Sequence, residues 1–260
     1  MTAISLTHLP FTTDAGLAAR ARIGLVVLAS DLTIEHEWRK VLANLDGVAL
    51  HHARLFNDSR ITPETLRAME SLIAPTAALL LPGHRFDVVA YGCTSASMVL
   101  GEERVMDLLR EAKPEARSTT PITAARLAMQ ALGARRIGLL TPYRDDINQA
   151  LRSYLEARGV GVPVMGSFNE EDDGIVGRID PASLTDACAR LGAYPEVDAV
   201  FVSCTSLRLA EAAAGIETRI GKPVTSSNHA MLWHALRLAG IEDRLPRWGR
   251  LFAVSCRLDA

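Results

Sequence analysis

Apolar residues fall along this chain in short runs separated by charged or turn-forming positions. Arg22-Ile23-Gly24-Leu25-Val26-Val27-Leu28 is a nearly continuous apolar run of strand length, the pattern of a strand buried on both faces. A helix is expected from about Thr33 to Leu45, followed by a second strand at Val48–Leu55. Thr62–Leu80 reads as one helix with Pro63 in its first turn. Phe86-Asp87-Val88-Val89-Ala90-Tyr91 is the next strand, and it runs directly into Gly92-Cys93-Thr94-Ser95. Alternation of this kind predicts an α/β fold, with a mainly parallel sheet flanked by helices.

The second half repeats the plan. Arg136-Ile137-Gly138-Leu139-Leu140 echoes Arg22-Ile23-Gly24-Leu25-Val26 at an offset of 114 residues (22 to 136). The run Val197 to Val202, ending in Ser203-Cys204-Thr205-Ser206, echoes the strand that ends at Gly92-Cys93-Thr94-Ser95, at an offset of 111 (93 to 204). Two ordered matches at nearly one offset, each at a strand, point to a duplicated unit of about a hundred residues. Ser118-Thr119-Thr120-Pro121 marks a junction, and Lys222-Pro223 a second one. The expected division is an N-terminal lobe over 1–120, a C-terminal lobe over 121–225, and a tail, 226–260, packing back on the first lobe. The helix at its start is expected over His229–Ala239.

Of the 260 residues, 48% are hydrophobic and 22% charged, with a formal net charge of −2, ordinary values for a globular protein. No basic patch invites nucleic acid, and no apolar run approaches the ~20 residues of a membrane span. Met1–Arg20 lacks a basic flank followed by an apolar core, so no signal peptide is expected. The four cysteines, Cys93, Cys188, Cys204 and Cys256, show no CxxC pairing and read as reduced thiols of a cytoplasmic protein. Only Lys40, Lys113 and Lys222 could form a Schiff base, and Lys222 lies in a Gly-Lys-Pro turn, which disfavours pyridoxal chemistry.

In parallel sheets ligands bind beyond the C-terminal strand ends, where Cys93 and Cys204 both fall. If a helix begins at each, its free N–H groups favour thiolate over thiol, and the following Thr and Ser add donors for a carboxylate or enolate oxygen. A lone cysteine at a strand end is ordinary core. A matched pair, one per repeat, suits removal of a proton from one face of a carbon and its return to the other. It also suits addition of one thiolate with proton delivery by the second. Cys188 and Cys256 are read as structural.

These paired Cys-Thr-Ser motifs on a duplicated frame resemble the aspartate/glutamate racemase superfamily, in its maleate isomerase and arylmalonate decarboxylase branch. The resemblance runs from about Arg22 to Arg237. It implies two Rossmann-like lobes related by a pseudo-twofold, an active site between them, no cofactor or metal, and a homodimer or higher homo-oligomer. The maleate isomerase pattern Pro-Ser-Ser-Asn, with Thr and Glu following, matches Leu28-Ala29-Ser30-Asp31, then Leu32-Thr33-Ile34-Glu35. The family's substrate-binding tyrosine matches Tyr143, and a second family asparagine falls on Asp173, ahead of Ile175-Val176-Gly177-Arg178. The resemblance makes Cys93 the nucleophile and Cys204 the proton donor, with Asp31, Thr94, Ser95, Tyr143, Asp173, Thr205 and Ser206 binding substrate. Decarboxylases of the branch keep only the second cysteine, so a chain with both reads as an isomerase or racemase.

Two aspartates where the family has asparagines change the expected substrate. An ionised aspartate only accepts hydrogen bonds and repels a carboxylate. An amino-acid-like or N-acylated amino acid is therefore expected rather than a plain dicarboxylate; members described for ectoine utilisation are similar at Leu28–Asp31. Two other readings stay open: a malonate-type decarboxylase using Cys204 alone, and a small-molecule binding protein that does no chemistry. His51-His52 and Glu35-His36-Glu37 lack zinc-site spacing, and the acidic run Glu170–Asp173 reads as a solvated loop rather than a metal site, with one of its members left to face the cleft. No G-x-G-x-x-G follows the first strand, and Ser95 and Ser97 lack a G-x-S-x-G elbow.

Overall fold

A computed structural model describes residues 4–58 and 60–256. Residues 1–3 of the stretch read above for a leader lie outside the described residues, as do Ser59 and the last four positions of the tail. The first repeat contains β1 (Ala21–Leu28), α1 (Ile34–Leu42), β2 (Val48–Leu55), α2 (Pro63–Ala68), α3 (Glu70–Ala78), β3 (Val88–Gly92), α4 (Thr94–Leu100), α5 (Glu102–Ala112), β4 (Arg117–Thr119) and α6 (Pro121–Ala131). The second contains β5 (Arg136–Thr141), α7 (Asp145–Glu156), β6 (Gly161–Ser167), α8 (Asp173–Val176), α9 (Pro181–Gly192), β7 (Ala199–Val202), α10 (Ala213–Ile220), β8 (Val224–Ser226) and α11 (Ser227–Leu238). Two short 3-10 turns follow, at Pro246–Trp248 and Arg250–Ala253. Among the described residues no helix is long and apolar enough to cross a membrane.

Each repeat builds one four-stranded, all-parallel sheet, and the orders β2-β1-β3-β4 and β6-β5-β7-β8 are the same order twice. The expected two-lobe α/β architecture is borne out. The apolar run of β1 serves both faces of its sheet. Ile23, Leu25 and Val27 join a core formed with α1, α6 and α11, while Val26 and Leu28 join another formed with α2, α3 and α5. The repeated Asp before β3 and β7 also has a local reason. Asp87 accepts the N–H of Arg22 at 2.7 Å and Asp198 that of Arg136 at 2.9 Å, so each aspartate pins the start of the neighbouring strand.

The repeated glycine has a packing reason. A Cβ on Gly24 would stand 2.9 Å from Leu80 Cδ1, and one on Gly138 3.0 Å from Leu191 Cβ, so at both sites the layer above presses onto bare backbone. Gly138→Ala is expected to destabilise the fold by about 1–3 kcal/mol through overpacking. Urea unfolding checks this as a lower midpoint at unchanged slope; an unmoved midpoint would mean that Leu191 yields freely.

One expectation is corrected, and the two stretches read as junctions acquire a local structure. The helix read over Thr62–Leu80 is two, broken at Met69, with Thr62 as the N-cap of the first and Pro75 inside the second. The stretch read as a junction is β4 followed by Thr120, the N-cap of α6. Lys222-Pro223, read as the second junction, leads straight into β8. Both fourth strands are only three residues long and carry hydroxyl side chains, so no apolar run announces them. The α11 helix, capped by Ser226, packs on α6, α1, β3 and β4, and α6 itself contributes to cores on both sides.

Candidate active site

Cys93 leaves the end of β3 and is the N-cap of α4, as its position in the sequence led one to expect. Its Sγ accepts the Ala96 N–H at 3.5 Å and stands 3.7 Å from Ser95 Oγ, while Ser97 Oγ donates to its carbonyl at 2.6 Å. Cys204 differs. After β7 the chain enters a turn, and the next helix, α10, starts only at Ala213, so the expectation of a helix beginning at Cys204 is corrected. Its φ is +131°, a region that side chains disfavour, and its Sγ accepts the Ser206 N–H at 3.4 Å.

The Cys204 turn is fastened from outside its own element. The Cys204 N–H is donated to Ser227 Oγ at 3.1 Å, Asn228 Nδ2 donates to the Thr205 carbonyl at 2.6 Å, and Thr33 Oγ1 donates to the Ser206 carbonyl at 2.8 Å. Asn228 Nδ2 also donates to Glu37 Oε2 at 2.9 Å, while Glu37 Oε1 takes the Ala210 N–H at 2.7 Å. Burial pushes Glu37 up to about 7 despite these donors. Glu35, two positions earlier, instead faces His52 and Arg54 at 3.2 and 3.1 Å, so the Glu-His-Glu stretch is not one cluster.

Both cysteines line one cleft. Thr94, Ser95, Tyr143, Asp173 and Thr205 line it with them, so seven of the nine residues expected from the sequence meet there. The other two, Asp31 and Ser206, stand behind the wall. Ser206 Oγ donates to Asp173 Oδ1 at 3.3 Å, and Ser30 Oγ donates to Asp173 Oδ2 at 3.0 Å. Asp31 Oδ1 takes the N–H groups of Thr33 and Ile34 at 2.7 and 2.9 Å, at the start of α1. Thr94 lines the cleft, but its hydroxyl proton is already given to Ser227 Oγ at 2.8 Å.

The rest of the wall was not foreseen. Asn57, Asp58, Arg60 and Ile61, from the loop after β2, and Thr65, Leu66 and Met69, from α2 and its end, close one side, with Leu28 beside them. An isolated antiparallel bridge from Arg60 to Asp172 joins that loop to the opposite lobe. Asn57 Nδ2 donates to Ser30 Oγ at 2.8 Å, so the Ser30 proton is left for Asp173. Arg60 is the only cation among the described residues lining the cleft. Nothing local in Asn57-Asp58 or Arg60 marks a binding loop; only the register of β2 against β1 carries it there.

The electrostatics overturn one expectation. Burial pushes the Cys93 thiol up to about 11 and Cys204 up to about 12, outweighing the N–H donors of Ala96 and Ser206, which pull the other way. The negative charges of Asp173 and Asp31 push both thiols further up. At neutral pH both sulfurs are therefore held as thiols, because removing sulfur from water costs more than one or two N–H groups return. Burial likewise raises Asp31 to about 6, against the N–H groups of Ile34 and Thr33 and the hydroxyl of Thr205, and raises Asp173. Tyr143, buried beside both sulfurs, is held well above its usual value and stays neutral, its hydroxyl directed to Cys204.

Known proteins place this architecture. The profile of the arylmalonate decarboxylase family matches residues 46–252. The chain is 38% identical over 139 residues to an arylmalonate decarboxylase from Bordetella bronchiseptica, a match over 53% of this chain and 58% of that protein. It is 31% identical over 242 residues to a maleate isomerase from Nocardia farcinica, across 88% of this chain and 94% of that one. A structure of the Nocardia farcinica maleate cis–trans isomerase, a cysteine-to-serine mutant with a covalently bound succinylcysteine intermediate, superposes with a TM-score of 0.79 at 28% identity, covering 90% of this chain and 98% of that one. A match spanning most of the chain, on a fold with the same two-lobe plan, leaves one conclusion: the chain belongs to the arylmalonate decarboxylase family, in the branch that includes the maleate isomerases.

Proposed function

We propose that this protein is a cofactor-independent isomerase or racemase that uses Cys93 and Cys204 as a thiol pair on a small carboxylic acid bearing an ammonium or amide N–H. The observation that carries this reading is the opening of both cysteines, one from each repeat, into one cleft beside Tyr143. In racemisation one sulfur, as thiolate, takes the proton from the carbon next to the carboxylate, and the electron pair passes into the carboxylate as an enediolate. The second thiol returns a proton to the other face, so the two sulfurs end with protonation states exchanged. In cis–trans isomerisation the Cys93 thiolate adds to the double bond and Cys204 protonates the neighbouring carbon. Rotation about the new single bond and reversal of both steps then release product.

The choice of substrate rests on charge. Two buried carboxylates, Asp31 and Asp173, already oppose thiolate formation at both sulfurs. A second substrate carboxylate beside them would oppose it further, whereas a positive or N–H-bearing group would pair with them and lower both thiols. Arg60, which also faces Asp58 at 3.7 Å, and the Ser95 hydroxyl line the cleft where a substrate carboxylate would be held. The decarboxylase reading is kept as the alternative because of the family profile and the Bordetella bronchiseptica relative.

Incubation in heavy water with α-amino acids, their N-acyl derivatives, maleate and an arylmalonate, followed by proton NMR, tests the proposal. The expected result is loss of the α-proton signal from an amino-acid derivative, with inversion or isomerisation. Carbon dioxide release from the arylmalonate alone, without exchange in any other acid, would overturn it.

A further inference from the structure

Both cysteine loops meet on one oxygen. Ser227, the first residue of α11, is wholly buried, and its Oγ accepts the Cys204 N–H at 3.1 Å and the Thr94 hydroxyl at 2.8 Å. Thr94 follows Cys93 directly, so one side chain from a third element touches the backbone of one cysteine and the immediate neighbour of the other. Each loop has hydrogen bonds of its own, at the Ala96 and Ser97 groups for Cys93 and the Ser206 N–H for Cys204, but none of them ties one loop to the other. Cys204 adopts φ +131°, which a residue with a Cβ keeps only when its surroundings over-determine it. Thr94 stands where α4 begins, with no partner for its hydroxyl on its own helix.

We infer that Ser227 is a positioning residue that sets the two sulfurs relative to each other, through a single acceptor shared by the Cys93 and Cys204 loops. The inference rests on the two-thiol reading for its catalytic meaning, but the coupling of the loops is testable without any substrate. Deleting the oxygen strands two buried donors at once, and each loop relaxes toward its own preferred geometry. The sulfurs then become easier to reach for a small reagent and worse placed for a carbon held between them. A residue needed only for the overall fold would expose Cys188 along with the other two cysteines.

The experiment compares wild type, Ser227→Ala and Ser227→Thr by iodoacetamide alkylation, following each cysteine separately by peptide mass spectrometry. Ser227→Ala is expected to speed alkylation of both Cys93 and Cys204 by about tenfold as their burial is relaxed. Cys188, buried in α9, is expected to keep its rate and so to report an intact fold. With an acid that exchanges in the NMR screen, kcat is expected to fall about tenfold or more while KM stays within about threefold. Ser227→Thr keeps the oxygen and is expected to restore both properties.

The inference is overturned if neither alkylation rate moves, if only one does, or if Cys188 accelerates equally. Failure of both variants to fold also overturns it, because Ser227 would then be part of the scaffold. Absence of turnover with every acid, while the two alkylation rates still rise together, would instead count against the two-thiol reading and leave the coupling standing.

Discussion

Cys93→Ala and Cys204→Ala are each expected to lower turnover of the exchanging substrate by roughly 10²–10⁴-fold, the usual worth of a placed acid or base. KM should change little, because a thiol contributes small ground-state binding beside the hydroxyls and Arg60. The double variant is expected to be no slower than the worse single one, since a proton that cannot be taken need not be returned. Steady-state kinetics and α-deuterium exchange provide the measurement. Full activity in Cys93→Ala, with loss in Cys204→Ala, would replace the pair by one proton-donating thiol and make the protein a decarboxylase.

Asp31→Asn with Asp173→Asn is expected to shift preference from an ammonium-bearing acid to a plain dicarboxylate. Loss of the Asp173 carboxylate, which lines the cleft, removes a charge-assisted hydrogen bond of about 1.5–3 kcal/mol, and loss of Asp31 behind it removes a charge, so the ratio of kcat/KM values should change by about ten- to a hundredfold or more. The pH profile gives an independent sign. Asp31 titrates near 6 in the fold, so below that pH it is neutral and cannot balance an ammonium. Wild-type kcat/KM for such a substrate should therefore rise as pH passes through 6, and Asp31→Asn should erase the step.

Stability should move the other way with pH. Because the folded value of Asp31 is raised from 3.8 to about 6, the proton it binds stabilises the fold fully below 3.8, and that contribution is lost as pH rises through 6. Asp31→Asn escapes the loss and should be more stable than wild type at pH 8 by up to about 3 kcal/mol, at 1.36 kcal/mol per unit of pKa, and so melt at a higher temperature. Equal melting temperatures at pH 8 would show that Asp31 is not held against its charge. A more stable but less selective variant is the expected signature of a carboxylate kept for binding rather than folding.

The parts of the site that were legible in the sequence share one property, namely that local chain chemistry determines them. Strand β1 must be apolar on both faces because helices cover both, and Gly24 and Gly138 recur because Leu80 and Leu191 press on them. A parallel sheet delivers its strand ends to one edge, so Cys93 and Cys204 could be paired from an offset alone. Asp173 could be placed in the wall through the family pattern. Arg60 and Asn57 could not, because nothing in their neighbours says which lobe they will face.

What the chain determined by itself is the repeated βα framework and the delivery of two thiols to it, since both follow from which residues can be buried along a strand and how often. Whether those thiols are charged, and how Cys204 is held without a helix, was decided only on folding. Burial sets the first, because desolvation depends on everything that surrounds a sulfur and not on its sequence neighbours. Ser227, Asn228 and Thr33 set the second, reaching the turn from distant points of the chain that only the packing of α11 and α1 against the Cys204 turn brings within a hydrogen bond's length.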